Sequence, residues 1–165
     1  MKEQQKKYEL TGEFIEHWSG KKLYRIRALV SFGVVVAGQL GGFIESEKNL
    51  DQSLSGDAWV SGNARVYGDA WVYGNAEVYG NARVRSHAVI FEHKMIFGAS
   101  NVGSENGTLT VFNGKDGLIV TRGCFTGTVD EFLAKSAEVH DDKTKNEYKL
   151  LIEVAKSRIL GVKDE

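Results

Sequence analysis

Three arginines recur in the middle of the sequence at a spacing that favours the binding of an anion. Arg65 and Arg83 are 18 residues apart, and Arg85 follows two residues after Arg83. A guanidinium group donates paired hydrogen bonds to a carboxylate or a phosphate, and the neighbouring Tyr67 adds an aromatic surface. If the backbone returns to the same face after 18 residues, Arg65, Tyr67, Arg83 and Arg85 form a candidate site for a small anionic ligand.

The residues that most often carry catalysis give no comparable pattern. His87 and His93 are the histidines of the repeated region described below, and each stands where the repeat places a turn residue. Cys124 is either a nucleophile near His140 or a small buried side chain. One cysteine excludes an internal disulfide, and the histidines lack zinc-ligand spacing. We therefore assign no catalytic residue, metal or cofactor, and expect a protein that is not an enzyme.

A six-residue repeat between Asp57 and Ala88 supplies the periodic backbone that the arginines require. Its units read GDAWVS, GNARVY, GDAWVY, GNAEVY and GNARVR. This period is typical of a β-solenoid, in which each unit forms a short strand and a turn and cannot bury its own apolar side. With three units per coil, positions 18 residues apart stack, and the repeat predicts about three coils.

Alternation along each strand predicts which side chains of the repeat point inward. The inward positions are aliphatic: Leu54, Val60, Val66, Val72, Val78, Val84, Ile90, Ile96 and Val102. The outward residues fall on three faces. The first carries Trp59, Ser61, Glu77, Tyr79, Met95 and Phe97; the second carries Arg65, Tyr67, Arg83, Arg85 and Asn101; the third carries Trp71, Tyr73, Val89 and Phe91.

The third face is an apolar strip, defined here as Trp71, Tyr73, Val89 and Phe91. Monomeric proteins rarely leave such a strip in contact with water. Two interpretations stay open, since either flanking segments of the chain cover the strip or a second subunit does. The second interpretation predicts a homo-oligomer, a trimer first and a dimer second. Trp59 and Tyr79 are further candidates for contact with a protein partner.

The flanking sequences divide the chain into three parts of one compact unit. Residues 1–49 have the alternating pattern of a β-rich lead-in, and residues 50–102 contain the repeat. Residues 103–165 contain a strand pair, TLTVF and GLIVT, and then amphipathic helices. Thr128 is the expected cap of the first helix, which runs to His140. We expect this helical pair to cover an open edge of the solenoid.

Composition excludes several classes of partner. The 21 basic and 22 acidic residues give a formal net charge of -1, which argues against a nucleic-acid-binding protein. No apolar run has the length of a signal or membrane segment. We therefore expect a cytoplasmic protein with no membrane partner.

The sequence also resembles a known group of proteins. The repeat is similar to that of hexapeptide-repeat proteins, which form a left-handed parallel β-helix. The segments YRIRALVSFG, QLGGFIESEKNL, GNARVYGDAWVYGNA and DGLIVTRGCFTGTVDEFLAKSAEVH resemble proteins of phages and prophages of Firmicutes, often labelled polymer-forming cytoskeletal proteins. The resemblance implies a mainly β fold: a left-handed parallel β-helix with a β-rich N-terminal lead-in and a C-terminal helical pair.

The same resemblance implies a function directed at the host cell. Accessory proteins of such genomes commonly block immune nucleases or sequester nucleotide signals. The preferred expectation is therefore an oligomeric, non-enzymatic binding protein in the host cytoplasm, whose partner is a host protein or a small anionic ligand. Two alternatives stay open: a hexapeptide-repeat acyltransferase with His87 or His93 as general base, and a virion or filament component formed by stacked solenoids.

Overall fold

The computed structural model describes residues 6–17, 19–103, 105, 107–123 and 125–161. Within those ranges the chain forms short strands followed by two helices. The strands are β1 (Tyr8–Glu16), β2 (Lys22–Ala28), β3 (Leu40–Ile44), β4 (Trp59–Val60), β5 (Arg65–Val66), β6 (Trp71–Val72), β7 (Glu77–Val78), β8 (Arg83–Val84), β9 (Val89–Ile90), β10 (Ile96–Val102), β11 (Gly107–Gly114), β12 (Gly117–Arg122) and β13 (Phe125–Thr128). The helices are α1 (Val129–Val139) and α2 (Asp142–Leu160).

The strands form several small sheets of different kinds. A five-stranded mixed sheet has the order β1-β2-β3-β5-β8, antiparallel through β3 and parallel beyond it. A four-stranded antiparallel sheet has the order β10-β11-β12-β13. Two parallel pairs, β4 with β7 and β6 with β9, complete the described strands. The fold class is therefore mixed, with two C-terminal helices, and the predicted left-handed parallel β-helix is wrong.

The hexapeptide repeat forms only a part of this architecture. Its strands pair in parallel at an offset of 18 residues, as in Trp59 with Glu77 and Trp71 with Val89. The inward side chains from Val60 to Ile90 have no exposed surface. The repeat between Asp57 and Ala88 is, however, shorter than two 18-residue periods. It can therefore provide one layer of paired strands, and further backbone hydrogen bonds come from segments on either side, in parallel from β3 and in antiparallel from the end of β11.

The repeat ends earlier than the sequence predicted. From Ile96 the chain enters β10, which pairs antiparallel with β11, so Met95, Phe97 and Asn101 do not belong to solenoid faces. Leu54, expected inside, is an exposed hydrophobic residue. Val102, also expected inside, is only partly buried. Six-residue spacing alone did not reveal this change of pairing, because aliphatic residues also alternate along an antiparallel strand.

Polar side chains from the N-terminal part satisfy one open edge of the repeat. Lys7 is fully buried, and its Nζ donates to the carbonyl oxygen of Ala58 at 2.8 Å. Asn49 Nδ2 donates to the carbonyl oxygen of Ala70 at 2.9 Å. β3 extends the same edge by parallel pairing with β5. The N-terminal part therefore provides the cover that the sequence assigned to the helices.

The opposite edge is covered by the antiparallel sheet. Asn113 Nδ2 donates to the carbonyl oxygen of Val89 at 2.9 Å, and Thr121 Oγ1 donates to that of Arg83 at 2.7 Å. The helices pack on this sheet, where Tyr148 and residues of both helices form a second core with buried residues of β11 and β12. The prediction that the helical pair itself closes the repeat is wrong.

Local capping explains where the two helices begin. Thr128 Oγ1 accepts from the backbone N–H of Glu131 at 3.1 Å, and the Glu131 carboxylate accepts from the backbone N–H of Thr128 at 2.8 Å. Asp141 caps α2 by accepting from the N–H of Thr144 at 2.8 Å. Neither of these helices has the length and apolar composition needed to cross a membrane.

Candidate anion-binding site

Arg65 and Arg83 stand side by side on neighbouring strands. The parallel register of β5 and β8 pairs them directly, so their backbones are about 4.8 Å apart. Both residues are partly buried. Among the described residues neither guanidinium group has a carboxylate within ion-pair distance, and Arg65 Nε is buried without a hydrogen-bond partner. The pair therefore concentrates positive charge and unused donors at one place.

The electrostatics of Arg83 reflect this environment. The pKa of Arg83 is lowered, first by burial and then by the positive charges of Arg65 and Arg85. A lowered pKa means that the surroundings disfavour the charged form of the guanidinium group. An anion placed between Arg65 and Arg83 would offset the repulsion between the two positive charges.

Arg85 was predicted as a ligand contact, but its donors are used within the protein. Its guanidinium group donates to Tyr67 Oη at 2.9 Å and to the carbonyl oxygens of Gly123 at 3.0 Å and Phe125 at 2.6 Å. It also donates to Thr126 Oγ1. Tyr67 is itself 6% exposed. Arg85 and Tyr67 therefore form a wall that joins β8 to β13, while Arg65 and Arg83 keep donors for a ligand.

Two further walls come from segments that no sequence pattern linked to the arginines. His17 follows β1, and its ring centroid lies 4.9 Å from that of Tyr67. Arg122 ends β12, and its guanidinium group donates to Tyr148 Oη at 2.9 Å and to the Glu105 carboxylate at 3.3 Å. Antiparallel pairing brings both segments to the repeat, so the 18-residue period could not indicate them.

Together these residues line a cleft of about 480 Å³. Four arginines and His17 line it, together with Asn81, Thr108 and Glu16. Clefts of this size hold small molecules in other proteins, with a few polar groups setting the orientation. The chemistry available here is the binding of a negatively charged molecule that is larger than a single ion.

The charge of the cleft also acts on His17. The pKa of His17 is lowered from its ordinary value of 6.5, first by burial and then by the positive charges of Arg85, Lys21, Arg65 and Arg83. Its Nδ1 accepts from the backbone N–H of Ser19 at 3.2 Å, which fits a neutral imidazole. Protonation in acid would add a further positive charge to the cleft.

The residues considered for catalysis do not line this cleft. His87 is exposed at a corner of the repeat, with Nδ1 3.7 Å from the Asp69 carboxylate, beside a separate cavity of about 240 Å³. His93 is exposed at the start of a short 3₁₀ turn. Cys124 lies outside the described residues. No group of three metal-ligating side chains occurs within the part of the chain that the structure describes.

The apolar strip predicted on the third face exists as a stack of aromatic rings. The ring centroids of Trp71 and Tyr73 are 3.9 Å apart, and those of Tyr73 and Phe91 are 5.2 Å apart. Val89 pairs with Trp71 in the parallel register. Trp71 is 45% exposed, so the rest of the protein leaves part of this strip open to solvent.

The two further interface candidates differ from each other. Tyr79 is 54% exposed, whereas Trp59 is 2% exposed and belongs to the core. The rings of Tyr8 and Phe32 pack edge-on against Trp59, with centroids 6.4 Å and 5.3 Å away. Trp59 is therefore not exposed to a protein partner, because the N-terminal part folds over its face of the repeat.

Comparison with known proteins gives no family assignment. No model of a known protein family matches the sequence. No curated protein matches it either.

Proposed function

We propose that this protein is a non-enzymatic binding protein that holds a small anionic ligand between Arg65 and Arg83. One observation carries the proposal: the two guanidinium groups are neighbours, are partly buried, and have no carboxylate partner among the described residues. Like charges placed directly opposite each other on adjacent strands destabilise a sheet. A bound anion offsets this repulsion and satisfies donors that the fold leaves unused.

The biological role that best fits such a cleft is sequestration of an anionic signal in the cytoplasm. The resemblance to phage proteins offers a nucleotide sponge and a nuclease inhibitor as host-directed roles. A cleft of about 480 Å³ with a pair of arginines supports the first role. The second role relied on a surface made of Trp59, Tyr79, Met95 and Phe97, of which Trp59 is only 2% exposed.

The remaining alternatives receive less support. An acyltransferase of the hexapeptide-repeat type would use a histidine of the repeat, but His87 lies beside a different cavity from Arg65 and Arg83. A filament of stacked repeats needs open ends. One end is occupied where Lys7 donates to Ala58, and the other where the antiparallel sheet pairs with the repeat.

We also propose that the protein is a homo-oligomer, a trimer or a dimer. The support is the strip of Trp71, Tyr73, Val89 and Phe91, which is apolar and partly exposed. Aromatic residues that are stacked and already ordered lose little conformational entropy when they form an interface.

Calorimetric titration with inorganic phosphate tests the binding proposal. Wild-type protein is expected to bind phosphate, and the double substitution Arg65→Ala with Arg83→Ala is expected to abolish binding. The melting temperature of the double variant should not fall, because the change removes a repulsive pair. Arg158→Ala is the matched control, since Arg158 is exposed on α2. Unchanged phosphate binding in the double variant would refute the proposal.

Mass spectrometry under native conditions extends the same test to the natural ligand. Wild-type protein purified from cells is expected to retain an anionic molecule, and the double variant is expected to lose it. The mass difference identifies the molecule.

A further inference from the structure

The cleft is not uniformly positive, and its single described carboxylate restricts the ligand. Glu16, at the end of β1, lines the cleft together with Arg65 and Arg83. Glu16 is exposed and has no ion pair with any described cation. Its carboxylate is therefore an acceptor that remains available to a bound molecule.

A carboxylate at this position distinguishes between anions. It accepts hydrogen bonds from hydroxyl or amino groups of a ligand, and it repels any second negative group that reaches its side of the cleft. Two neighbouring arginines, by contrast, match a single group with two negative charges. Asn81 and Thr108 add polar side chains along the same cleft.

The size of the cleft adds a second restriction. A volume of about 480 Å³ lies within the range of pockets that enclose small organic molecules, and it exceeds the space that one phosphate ion fills. A ligand that contacts only the arginine pair would leave the rest of the cleft to water. A ligand that carries both an anionic group and hydroxyl groups can satisfy the arginine pair and the Glu16 carboxylate.

We infer that the ligand is a phosphate monoester with a hydroxyl-bearing body, such as a sugar phosphate or a nucleoside monophosphate. Its phosphoryl group binds between Arg65 and Arg83, and its hydroxyl groups donate to the Glu16 carboxylate. The inference rests on the proposed anion-binding function. It predicts that a polyphosphate binds less tightly than a monoester, since the Glu16 carboxylate repels a further negative charge that comes near it.

Calorimetric titration of the full-length protein with five probes tests the inference. The probes are inorganic phosphate, ribose 5-phosphate, adenosine 5′-monophosphate, ribose and tripolyphosphate. At least one of the two monoesters is expected to bind about tenfold more tightly than inorganic phosphate, because it adds hydrogen bonds to a charged acceptor. Ribose alone is expected to bind too weakly to detect, and tripolyphosphate more weakly than the better monoester.

The substitution Glu16→Gln gives a second measurement. It keeps the shape of the side chain and removes its charge. The difference in affinity between the monoester and inorganic phosphate should therefore decrease, and the affinity for tripolyphosphate should rise. Glu13→Gln is the matched control on the same strand, because Glu13 pairs with Arg25 at 3.0 Å and does not line the cleft. In that control the monoester should still bind more tightly than inorganic phosphate and more tightly than tripolyphosphate.

The outcomes separate this inference from the proposed function. If phosphate binds through the arginine pair but neither monoester binds more tightly, or if tripolyphosphate is the tightest wild-type ligand, the inference fails and the anion-binding function stands. If no anion binds the wild-type protein, both fail. If Glu16→Gln leaves every affinity unchanged, the contact with Glu16 is refuted.

Discussion

At the scale of single residues, the protein places several cations where water reaches them poorly. Arg85 and Arg122 have acceptors within the chain, and Lys7 has backbone carbonyls. Arg65 and Arg83 differ because their guanidinium groups have neither a hydrogen-bond acceptor nor an ion-pair partner among the described residues. A fold tolerates such a pair at a cost in stability, and functional sites are where proteins commonly accept that cost.

The stability of the ligand-free protein should depend on pH through His17. The pKa of this imidazole is lowered in the folded state, so the unfolded chain binds more protons at pH values below about 6.5. The stability that the neutral His17 imidazole contributes to the fold is complete above pH 6.5, and it is lost as the pH falls toward the lowered pKa. Urea unfolding at about pH 8 and about pH 5 should show lower stability in acid. The binding of an anion whose charge is the same at both pH values, such as sulfate, should change in the opposite direction, because protonated His17 attracts it.

Two histidine variants check whether His17 causes this pH dependence. His17→Gln should remove part of the pH dependence of stability and weaken the gain in anion affinity in acid. His87→Gln should preserve the gain in anion affinity in acid, since His87 lies outside the cleft. An unaltered pH profile in His17→Gln would show that another group is responsible.

Adjacent lysines near the N-terminus should differ in importance. Lys7 is fully buried and donates to the carbonyl oxygens of Ala58 and Gly56, whereas Lys6 forms an exposed ion pair with Glu47. Lys7→Met leaves buried carbonyls without a donor and should lower the unfolding free energy by about 1–3 kcal/mol. Lys6→Met should lower it by about 1 kcal/mol or less. Urea unfolding measures both, and equal effects would contradict the capping role of Lys7.

At the scale of elements, the corners of the repeat need a left-handed backbone. Gly62, Gly68, Gly74 and Gly80 have φ between 62° and 69°, and Ser86 takes the next corner with φ of 66°. A residue with a Cβ atom pays roughly 1–2 kcal/mol for this conformation, and glycine avoids that cost. The repeated glycines are therefore a conformational requirement of the six-residue unit, and Ser86 is strained.

Replacing Ser86 by glycine should raise the stability of the protein. We expect an increase of about 0.5–1 kcal/mol, because relief of strain exceeds the entropy that glycine loses on folding. Gly80→Ser should have the opposite sign, although the space around its Cβ position is empty. Unfolding by urea measures both changes.

Ser61→Gly is the control for this pair of substitutions. Ser61 has the same residue type as Ser86 but is not in the left-handed region. The glycine should therefore cost about 0.5–1 kcal/mol at this position. A stabilising effect of Ser61→Gly equal to that of Ser86→Gly would show that strain is not the cause.

At the scale of the whole molecule, the described residues leave the apolar strip partly exposed. We predict that wild-type protein has the native mass of a trimer or a dimer, and that Trp71→Glu combined with Phe91→Glu yields soluble monomers. The introduced carboxylates would be desolvated in the interface, which is unfavourable for unpaired charges. Native mass spectrometry at micromolar concentration measures both species.

A second exposed apolar residue provides the control for the Trp71→Glu and Phe91→Glu double substitution. Leu150 on α2 is 53% exposed and lies outside the strip. Leu150→Glu should leave the oligomer intact. A wild-type mass of one chain would contradict the proposed assembly, and monomers in Leu150→Glu would move the interface to α2.

Local sequence determined the features that depend on spacing along the chain. The period of six residues gave the 18-residue register that pairs Arg65 with Arg83 and buries the aliphatic residues from Val60 to Ile90. Capping residues gave the start of the helix after Thr128. These features could be predicted because short-range hydrogen bonding and side-chain alternation set them.

Tertiary structure decided which of these residues remain available to a ligand or to a protein partner. Antiparallel strands on both sides of the repeat replaced the expected β-helix, buried Trp59, and supplied acceptors to Arg85 but not to Arg65 or Arg83. The same strands brought Glu16 and His17 into the cleft. Periodicity records how far apart residues lie along the chain. The partner of each donor depends on segments distant in sequence, which meet only when the whole chain packs.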